Sequence, residues 1–248
     1  MRALPLALLG LTIAACDPSP GATDRAFEAS GEIIAMGGGA GGPANACFAC
    51  HGLKGEGDGV STPRLAGLEQ GYLQKQMEDY ASGLCPDDVM TRVARGLTPE
   101  ARRVVAAWYA GLPAHAVQAS ASAAPQPPIW LNGDAARGIT ACAACHGAEG
   151  QGAGAGQPTV AGQPAPYTLE QIHRWKSGKR RNDPRGVMAA AVQHLLEQEA
   201  RAIAEWLSTR PAAQAQANAS ASASVSASAA ARPAASRETR RPDRSDGA

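Results

Sequence analysis

Apolar residues recur at helical spacing in four stretches of the chain, with polar residues filling the positions between them. This pattern predicts helices over Tyr72–Ser82, Thr98–Gly111, Thr168–Ser177 and Leu195–Thr209. Gly83 and Gly178 are placed to stop two of these helices, and Pro99 stands near the start of another. A shorter helical stretch is predicted over Asp134–Thr140, and no alternating strand pattern occurs. The fold is therefore predicted to be all-α.

The second half of the chain repeats the first at an offset of 95 residues, which becomes 98 after a three-residue insertion. A period this long with two copies indicates duplicated domains rather than a solenoid. We predict domains over residues 31–113 and 129–210, joined by an Ala/Ser/Gln/Pro-rich linker over residues 114–128. Aromatic residues make up only 4% of the chain. Each small domain therefore needs a further apolar group to complete its core.

The two ends of the chain carry patterns of their own. Residues 1–15 combine an arginine with an apolar run too short to span a bilayer, which is typical of an export signal. Ile13–Cys16 resembles the bacterial lipobox, which predicts a lipidated Cys16 and a membrane-anchored protein in the periplasm; cleavage that leaves Cys16 free is the alternative. Residues 16–30 are then a flexible tether, and residues 211–248 a disordered low-complexity tail. The net charge of +1 argues against a nucleic-acid binder.

Two pentapeptides, Cys47–His51 and Cys142–His146, share the pattern C-x-x-C-H. This pattern is the attachment signature of c-type haem. Two thiols at this spacing add to the vinyl groups of one haem, and the adjacent imidazole binds the iron as the proximal ligand. The sequence therefore predicts two covalent haem c groups. The predicted thioether bonds are made by Cys47, Cys50, Cys142 and Cys145. The predicted proximal iron ligands are His51 and His146.

Other uses of these cysteines fit the sequence less well. A thioredoxin-like C-x-x-C needs a βαβ context, whereas Gly/Pro loops and helical stretches surround these motifs. A zinc site needs paired clusters at ligand spacing, and each motif here stands alone. A disulfide across three residues is geometrically awkward.

The second iron ligand is predicted to be Met90 in the first domain and Met188 in the second. Methionine is a soft ligand that suits iron cycling between the ferrous and ferric states. The repeat pairs these two methionines, in equivalent loops before the last helix of each copy. A lone methionine is more often a core filler. His173 is the rival ligand, but Glu78 stands at its place in the first copy.

Two further features are left with open alternatives. Cys85 is either a small buried apolar residue or a redox-active thiol near the first haem. The basic run from Lys176 to Arg185 flanks Met188. It is a solvated face, a partner for haem propionates, or a docking surface for an acidic protein.

Over residues 31–209 the chain resembles cytochrome c4, a family of two-domain dihaem class I cytochromes c. The resemblance rests on the two C-x-x-C-H motifs, the Gly-rich segments after each His, and Met90 and Met188, together with Tyr72, Gln76, Tyr167, Gln171 and Ser177–Arg180. It implies two tandem class I cytochrome c domains packed face to face, with His51/Met90 on one iron and His146/Met188 on the other. Leu84–Pro86 departs from the basic stretch of the second copy.

The expected function is that of an exported, lipid-anchored carrier of single electrons that transforms no substrate itself. Expected donors are a quinol-oxidising complex or a dehydrogenase, and expected acceptors are a terminal oxidase or reductase. One alternative is a cytochrome subunit of a dehydrogenase or oxidase complex. A dihaem peroxidase is a weaker alternative, because it needs an open iron position and acid/base groups, which nothing at Met90 or Met188 indicates.

Overall fold

The computed structural model describes residues 30–115, 124–154, 156–183 and 185–212. The predicted signal, Cys16, most of the tether, the centre of the linker and almost all of the tail lie outside these ranges. Within the described residues the chain is helical, with two isolated bridges, Asp134–Ile139 and Gly154–Gln157, and no strand. The all-α prediction is confirmed. None of the described helices has the length and apolar character needed to cross a membrane.

The described residues of each sequence copy form five helices. In the first copy these are α1 (Gly31–Gly37), α2 (Phe48–His51), α3 (Gln70–Ser82), α4 (Asp88–Arg95) and α5 (Pro99–Gly111). In the second copy they are α6 (Pro128–Asn132), α7 (Ala143–His146), α8 (Ala165–Lys176), α9 (Val187–Gln193) and α10 (Glu197–Ser208). Short 3₁₀ turns occupy Gly39–Gly41, Pro43–Asn45 and Ala135–Arg137.

Two sequence-based predictions of local structure are wrong. Within the stretch Asp134–Thr140 only a 3₁₀ turn forms, over Ala135–Arg137, because Gly133 and Gly138 on either side of that turn have positive φ angles of 62° and 70°. The methionines were expected in loops, but Met90 lies on α4 and Met188 on α9. Asp87 caps α4 by accepting hydrogen bonds from the amides of its first turn, and this lets so short a helix form.

Each copy has its own apolar core. In the first copy α3 packs against α4 and α5, and α1 packs against α5. In the second copy α8 packs in the same way against α9 and α10. The buried residues of the first core are Ile34, Ala35, Leu68, Leu73, Leu97, Ala101, Val105, Ala106, Tyr109 and Ala110. Those of the second are Ile129, Trp130, Ile139, Ile172, Trp175, Val192, Leu195, Ala200, Ile203, Trp206 and Leu207.

Buried polar side chains join the two cores. Arg180, Asn182 and Asp79 are each more than 90% buried there. Arg180 Nη2 donates to Gln76 Oε1 over 2.8 Å, and Asn182 Nδ2 donates to Asp79 Oδ2 over 2.7 Å. Lys75 adds a 2.6 Å bond to the carbonyl of Asn182. These bonds fix how the two copies face each other.

Candidate cofactor sites

The two C-x-x-C-H segments form the same helical turn. The first cysteine of each motif is the N-cap of α2 or α7, and the histidine is the last residue of that helix. The histidine amide bonds the carbonyl of the first cysteine over 2.9 Å in both copies. One turn of helix therefore brings two thiols and an imidazole onto neighbouring positions.

The imidazoles are oriented in the same way in both copies. His51 Nδ1 lies 2.9 Å from the carbonyl oxygen of Pro63, and His146 Nδ1 lies 2.9 Å from that of Pro158. A carbonyl only accepts, so Nδ1 carries the proton and Nε2 is left with a free lone pair. Burial lowers the pKa of both imidazoles, and the proline carbonyls oppose this only in part. A neutral imidazole with a free Nε2 is the form that binds a metal.

The glycine-rich loop after each histidine is shaped by the last helix of the domain. Gly55 and Gly150 have positive φ angles of 69° and 75°. A Cβ at Gly55 would lie 2.7 Å from Tyr109, and one at Gly150 would lie 2.7 Å from Leu207. Glycine is therefore required at both places for the loop to reach the proline that holds the histidine.

The four motif cysteines differ in exposure. Cys50 is exposed, while Cys47, Cys142 and Cys145 are partly buried. Burial raises the pKa of Cys47 and of Cys142 to about 11. Cys47 also packs against the first core and Cys142 against the second, so the first cysteine of each motif faces the interior of its domain, where an apolar cofactor would lie.

Met90 and Met188 occupy matching places at the start of α4 and α9, and both are partly buried. The amide of Met90 donates to Asp87 Oδ1 over 2.9 Å, and the amide of Met188 donates to Asp183 Oδ2. Met188 also packs against the second core. Their role as iron ligands stays a prediction.

His173 and Cys85 have other surroundings. His173 is partly exposed, and its Nε2 lies 2.8 Å from a carboxylate oxygen of Glu197 on α10. Cys85 is 1% exposed, which agrees with its reading as a small buried residue.

Sequence reasoning missed Arg64, which is fully buried between the two copies. Its guanidinium donates to the carbonyl of Ala66 and, over 3.1 Å, to that of Ala161, while its Nε has no hydrogen-bond partner. A buried cation with an unsatisfied donor fits an anionic group such as a haem propionate. The sequence signal was available, because Arg64 directly follows the proline that holds His51.

The basic run of the second copy divides into two parts. Arg180 is buried, lies 4.6 Å over the ring of Trp175, and joins Gln171 to Gln76 of the other copy. It therefore belongs to the contact between the copies and is unavailable to a partner protein. Lys179, Arg181 and Arg185 are exposed.

A thiol-bearing turn, a buried metal-binding imidazole and a glycine-shaped loop, all built twice in one chain, define a two-domain c-type haem protein. The model of the family described as "Cytochrome c" matches residues 39–108 and 132–211. The chain belongs to the cytochrome c family. It holds two covalent haem c groups and serves as an electron carrier rather than an enzyme.

Three comparisons place the chain within that family. It is 36% identical to a "thiosulfate dehydrogenase electron acceptor" of Stutzerimonas stutzeri (strain A1501) over 74% of this chain and 88% of that protein. The crystal structure of reduced cytochrome c4 from Pseudomonas stutzeri superposes with a TM-score of 0.58 at 26% identity, covering 66% of this chain and 93% of that one. Thiosulfate dehydrogenase (TsdBA) from Marichromatium purpuratum gives a TM-score of 0.65 at 37% identity, covering 73% of this chain but only 40% of that one. The resemblance to cytochrome c4 is confirmed.

Proposed function

We propose that this chain receives single electrons from a thiosulfate-oxidising dehydrogenase and passes them to a further redox protein. The support is a relative named as the electron acceptor of such an enzyme, which matches most of both chains. The same two-domain unit also matches part of a longer thiosulfate dehydrogenase chain. A subunit role within a dehydrogenase complex is therefore the more specific form of the carrier function.

The proposed iron ligands are His51 and Met90 in the first domain, and His146 and Met188 in the second. The thioether bonds are assigned to Cys47 and Cys50, and to Cys142 and Cys145. The observation that carries this proposal is the duplicated proximal geometry, in which both Nδ1 atoms lie 2.9 Å from a proline carbonyl. The limits of the domains, 31–113 and 129–210, are proposed on the two separate cores.

Variants of the methionines test the ligand set. In Met90→Ala and Met188→Ala, we expect one of the two haems to lose the charge-transfer band of a methionine-ligated ferric haem and to become high-spin. Met77→Ala is the matched control, because Met77 packs against the first core and has no methionine counterpart in the repeat. Loss of the band in Met77→Ala, or its persistence in full in either of the other two variants, would contradict the assignment. A holoprotein mass that differs from that of the polypeptide plus two haems would refute the thioether assignment.

The donor is tested by rapid mixing of the ferric holoprotein with a thiosulfate dehydrogenase and thiosulfate. We expect both haems to be reduced in the complete mixture and to stay ferric when either component is left out. Reduction that is no faster than with enzyme-free thiosulfate would refute this donor. A peroxide challenge of the ferrous protein separates the carrier from a peroxidase, since a carrier with two closed irons turns over no peroxide.

Export and lipidation at Cys16 are proposed on the sequence alone. Cys16→Ser is expected to move the holoprotein from the membrane fraction to the soluble periplasmic fraction with its two haems intact. Recovery of the variant in the membrane fraction would contradict the anchor.

A further inference from the structure

Each proximal histidine is connected to the opposite domain through a single peptide group. The carbonyl of Pro63 accepts the hydrogen bond of His51, and the N–H of the same peptide group belongs to Arg64. That N–H donates to Gln163 Oε1 of the second domain over 3.0 Å. The Gln163 amide returns a 3.0 Å bond to the carbonyl of Arg64. We call this chain of hydrogen bonds, from the histidine through the peptide group to the other domain, a relay. The first relay ends on the neutral side-chain amide of Gln163.

The second domain has the same relay with a different end. The carbonyl of Pro158 accepts from His146, and the N–H of that peptide group belongs to Thr159. This N–H lies 3.2 Å from Glu69 Oε1 and 3.4 Å from Glu69 Oε2 of the first domain. Thr159 Oγ1 lies 3.2 Å from the same carboxylate and 2.8 Å from the carbonyl of Gln151. Glu69 is 5% exposed and Thr159 is 2% exposed, so water does not screen this contact.

The repeat explains why the two ends differ. At the offset of 95, Gln163 corresponds to Leu68, which is buried in the first core and has no polar atom in its side chain. The next residue, Glu69, supplies the acceptor instead, and its own counterpart is Pro164. Each domain therefore supplies one acceptor to the relay of the other domain. That acceptor is the neutral amide of Gln163 in one case and the carboxylate of Glu69 in the other.

We propose that Glu69 acts through the Pro158–Thr159 peptide as a positioning residue for His146, and makes the haem of the second domain the lower-potential one. This rests on the proposed proximal roles of His51 and His146. A carboxylate polarises the peptide whose N–H it accepts, and the carbonyl of that peptide becomes a stronger acceptor for His146 Nδ1. The imidazole then gains basicity, and a more basic ligand favours ferric over ferrous iron. Gln163 accepts from the Arg64 N–H as a neutral amide, so it polarises the peptide that holds His51 more weakly.

Arg64 is attracted electrostatically to Glu69, and its guanidinium donates to carbonyls of both domains, Ala66 and Ala161. The direct hydrogen bond from a histidine-holding peptide to a carboxylate is nevertheless made only in the second domain. Glu69 contacts only one of the two relays. An electron that enters either domain is therefore expected to rest on the haem attached to Cys47 and Cys50.

Spectroelectrochemical titration of the holoprotein and of two reciprocal variants tests the proposal. NMR assigns each potential to a haem, because the Trp130 indole lies beside His146, with ring centroids 6.4 Å apart, and marks that site. In the native protein we expect the Trp130-marked haem to have the lower potential. Glu69→Gln is expected to shift its redox equilibrium about tenfold toward ferrous iron, which is about 59 mV for a one-electron couple. Gln163→Glu is expected to shift the other haem toward ferric iron.

Two further variants separate the relay from bulk charge. Asp79→Asn removes another buried carboxylate of the domain contact, one that bonds Asn182 and Lys75. Asp79→Asn is expected to change the reduction potential of the second-domain haem by less than half of the change that Glu69→Gln produces. Glu69→Asp keeps the charge but withdraws it from Thr159, and is expected to give part of the shift together with an upfield move of the His146 Nδ1 proton.

The proposal is overturned if the first-domain haem has the lower reduction potential, or if Glu69→Gln changes the reduction potentials of both haems equally. An Asp79→Asn shift as large as that of Glu69→Gln, or a native-like Glu69→Asp, would also overturn it. Should Glu69→Gln fail to take up two haems, Gln163→Glu and Glu69→Asp decide the question. A failure of the ligand assignment itself shows separately, as a changed ligand band in the native protein.

Discussion

Cys85 is the one described cysteine outside the two haem motifs, and its surroundings are those of a protected thiol. It is 1% exposed, and its Sγ lies 4.0 Å from Nη2 of Arg174. Burial raises the pKa of this thiol, while the charges of Arg180 and Arg174 act in the opposite direction. At the offset of 95, Cys85 corresponds to Arg180 itself. A second guanidinium at this place would face the first, which gives a reason for a small neutral residue here.

In the native holoprotein, Cys85 is therefore expected to react slowly with iodoacetamide at pH 8, because the thiol is both buried and protonated. The rate should rise as the pH rises toward the elevated pKa, and should rise much further in urea. Peptide mapping by mass spectrometry measures both effects. Rapid labelling in the native state at pH 8 would identify Cys85 as a reactive thiol instead.

The last helix of each domain shows what capping contributes at the scale of an element. Thr98 is the N-cap of α5, and its Oγ1 accepts from the amide of Ala101 over 3.1 Å. The repeat partner of Thr98 is Leu196, which begins α10 with an apolar, half-exposed side chain. At α10 the Glu199 carboxylate accepts from the amide of Leu196 over 2.8 Å, but the Leu196 side chain cannot accept from the first-turn amides as Thr98 does at α5.

Thr98→Ala is expected to destabilise the first domain by about 1 kcal/mol, because an amide of the first turn loses its acceptor. Leu196→Thr is expected to stabilise the second domain by about 0.5–1 kcal/mol, since it adds the cap without removing a core residue. Thermal unfolding of the holoprotein, followed at the haem bands, measures both. Changes of the same sign in the two variants would contradict this account.

The sequence predicts these long helices well because their signals are local. The observed ends of α3, α5, α8 and α10 fall within a few residues of the predicted ones, and Gly83 serves as the C-cap of α3 as predicted. The short helical elements could not be predicted from hydrophobic periodicity alone. The four residues between Gly133 and Gly138 have a helical composition, yet the two glycines confine them to a 3₁₀ turn. The sequence pattern places Met90 in a loop, because the short helix that carries it depends on the Asp87 cap.

The haem motifs were readable from the sequence because attachment chemistry fixes their spacing within five residues. The residues that join the domains were not readable in this way. Glu69 meets Thr159 across 90 positions, and Arg180 meets Gln76 across 104. No local periodicity reports contacts at such distances. The charge run Lys176–Arg185 illustrates the consequence, since only the structure separates buried Arg180 from its exposed neighbours.

At the scale of the whole molecule, a buried polar cluster joins the two domains. Arg180 satisfies acceptors on Gln76, Gln171 and Asn182 at distances of 2.8–3.0 Å. Further contacts join Arg174 to Asp87 over 3.3 Å, and the amide of Arg181 to the carbonyl of Leu84 over 2.9 Å. Hydrogen bonds of this kind are directional, so they define one relative orientation of the domains. A fixed orientation would also hold the haems bound at the two motifs in one arrangement for electron transfer between them.

Removing the guanidinium at the centre of this cluster is expected to uncouple the domains. Arg180→Met takes the donor away from Asn182 Oδ1 and Gln171 Oε1, while Gln76 Oε1 keeps its bond from Asn182, and should cost about 2 kcal/mol of the free energy of unfolding. We also expect the single cooperative transition to separate into two, because each domain retains a core of its own. Denaturant titration, followed at the haem bands and by Trp fluorescence, measures both effects. Lys179→Met is the matched control, since Lys179 is exposed and its loss should change stability by less than about 0.5 kcal/mol. Equal behaviour of the two variants would mean that the apolar cores and the haems, rather than the Arg180 cluster, hold the domains together.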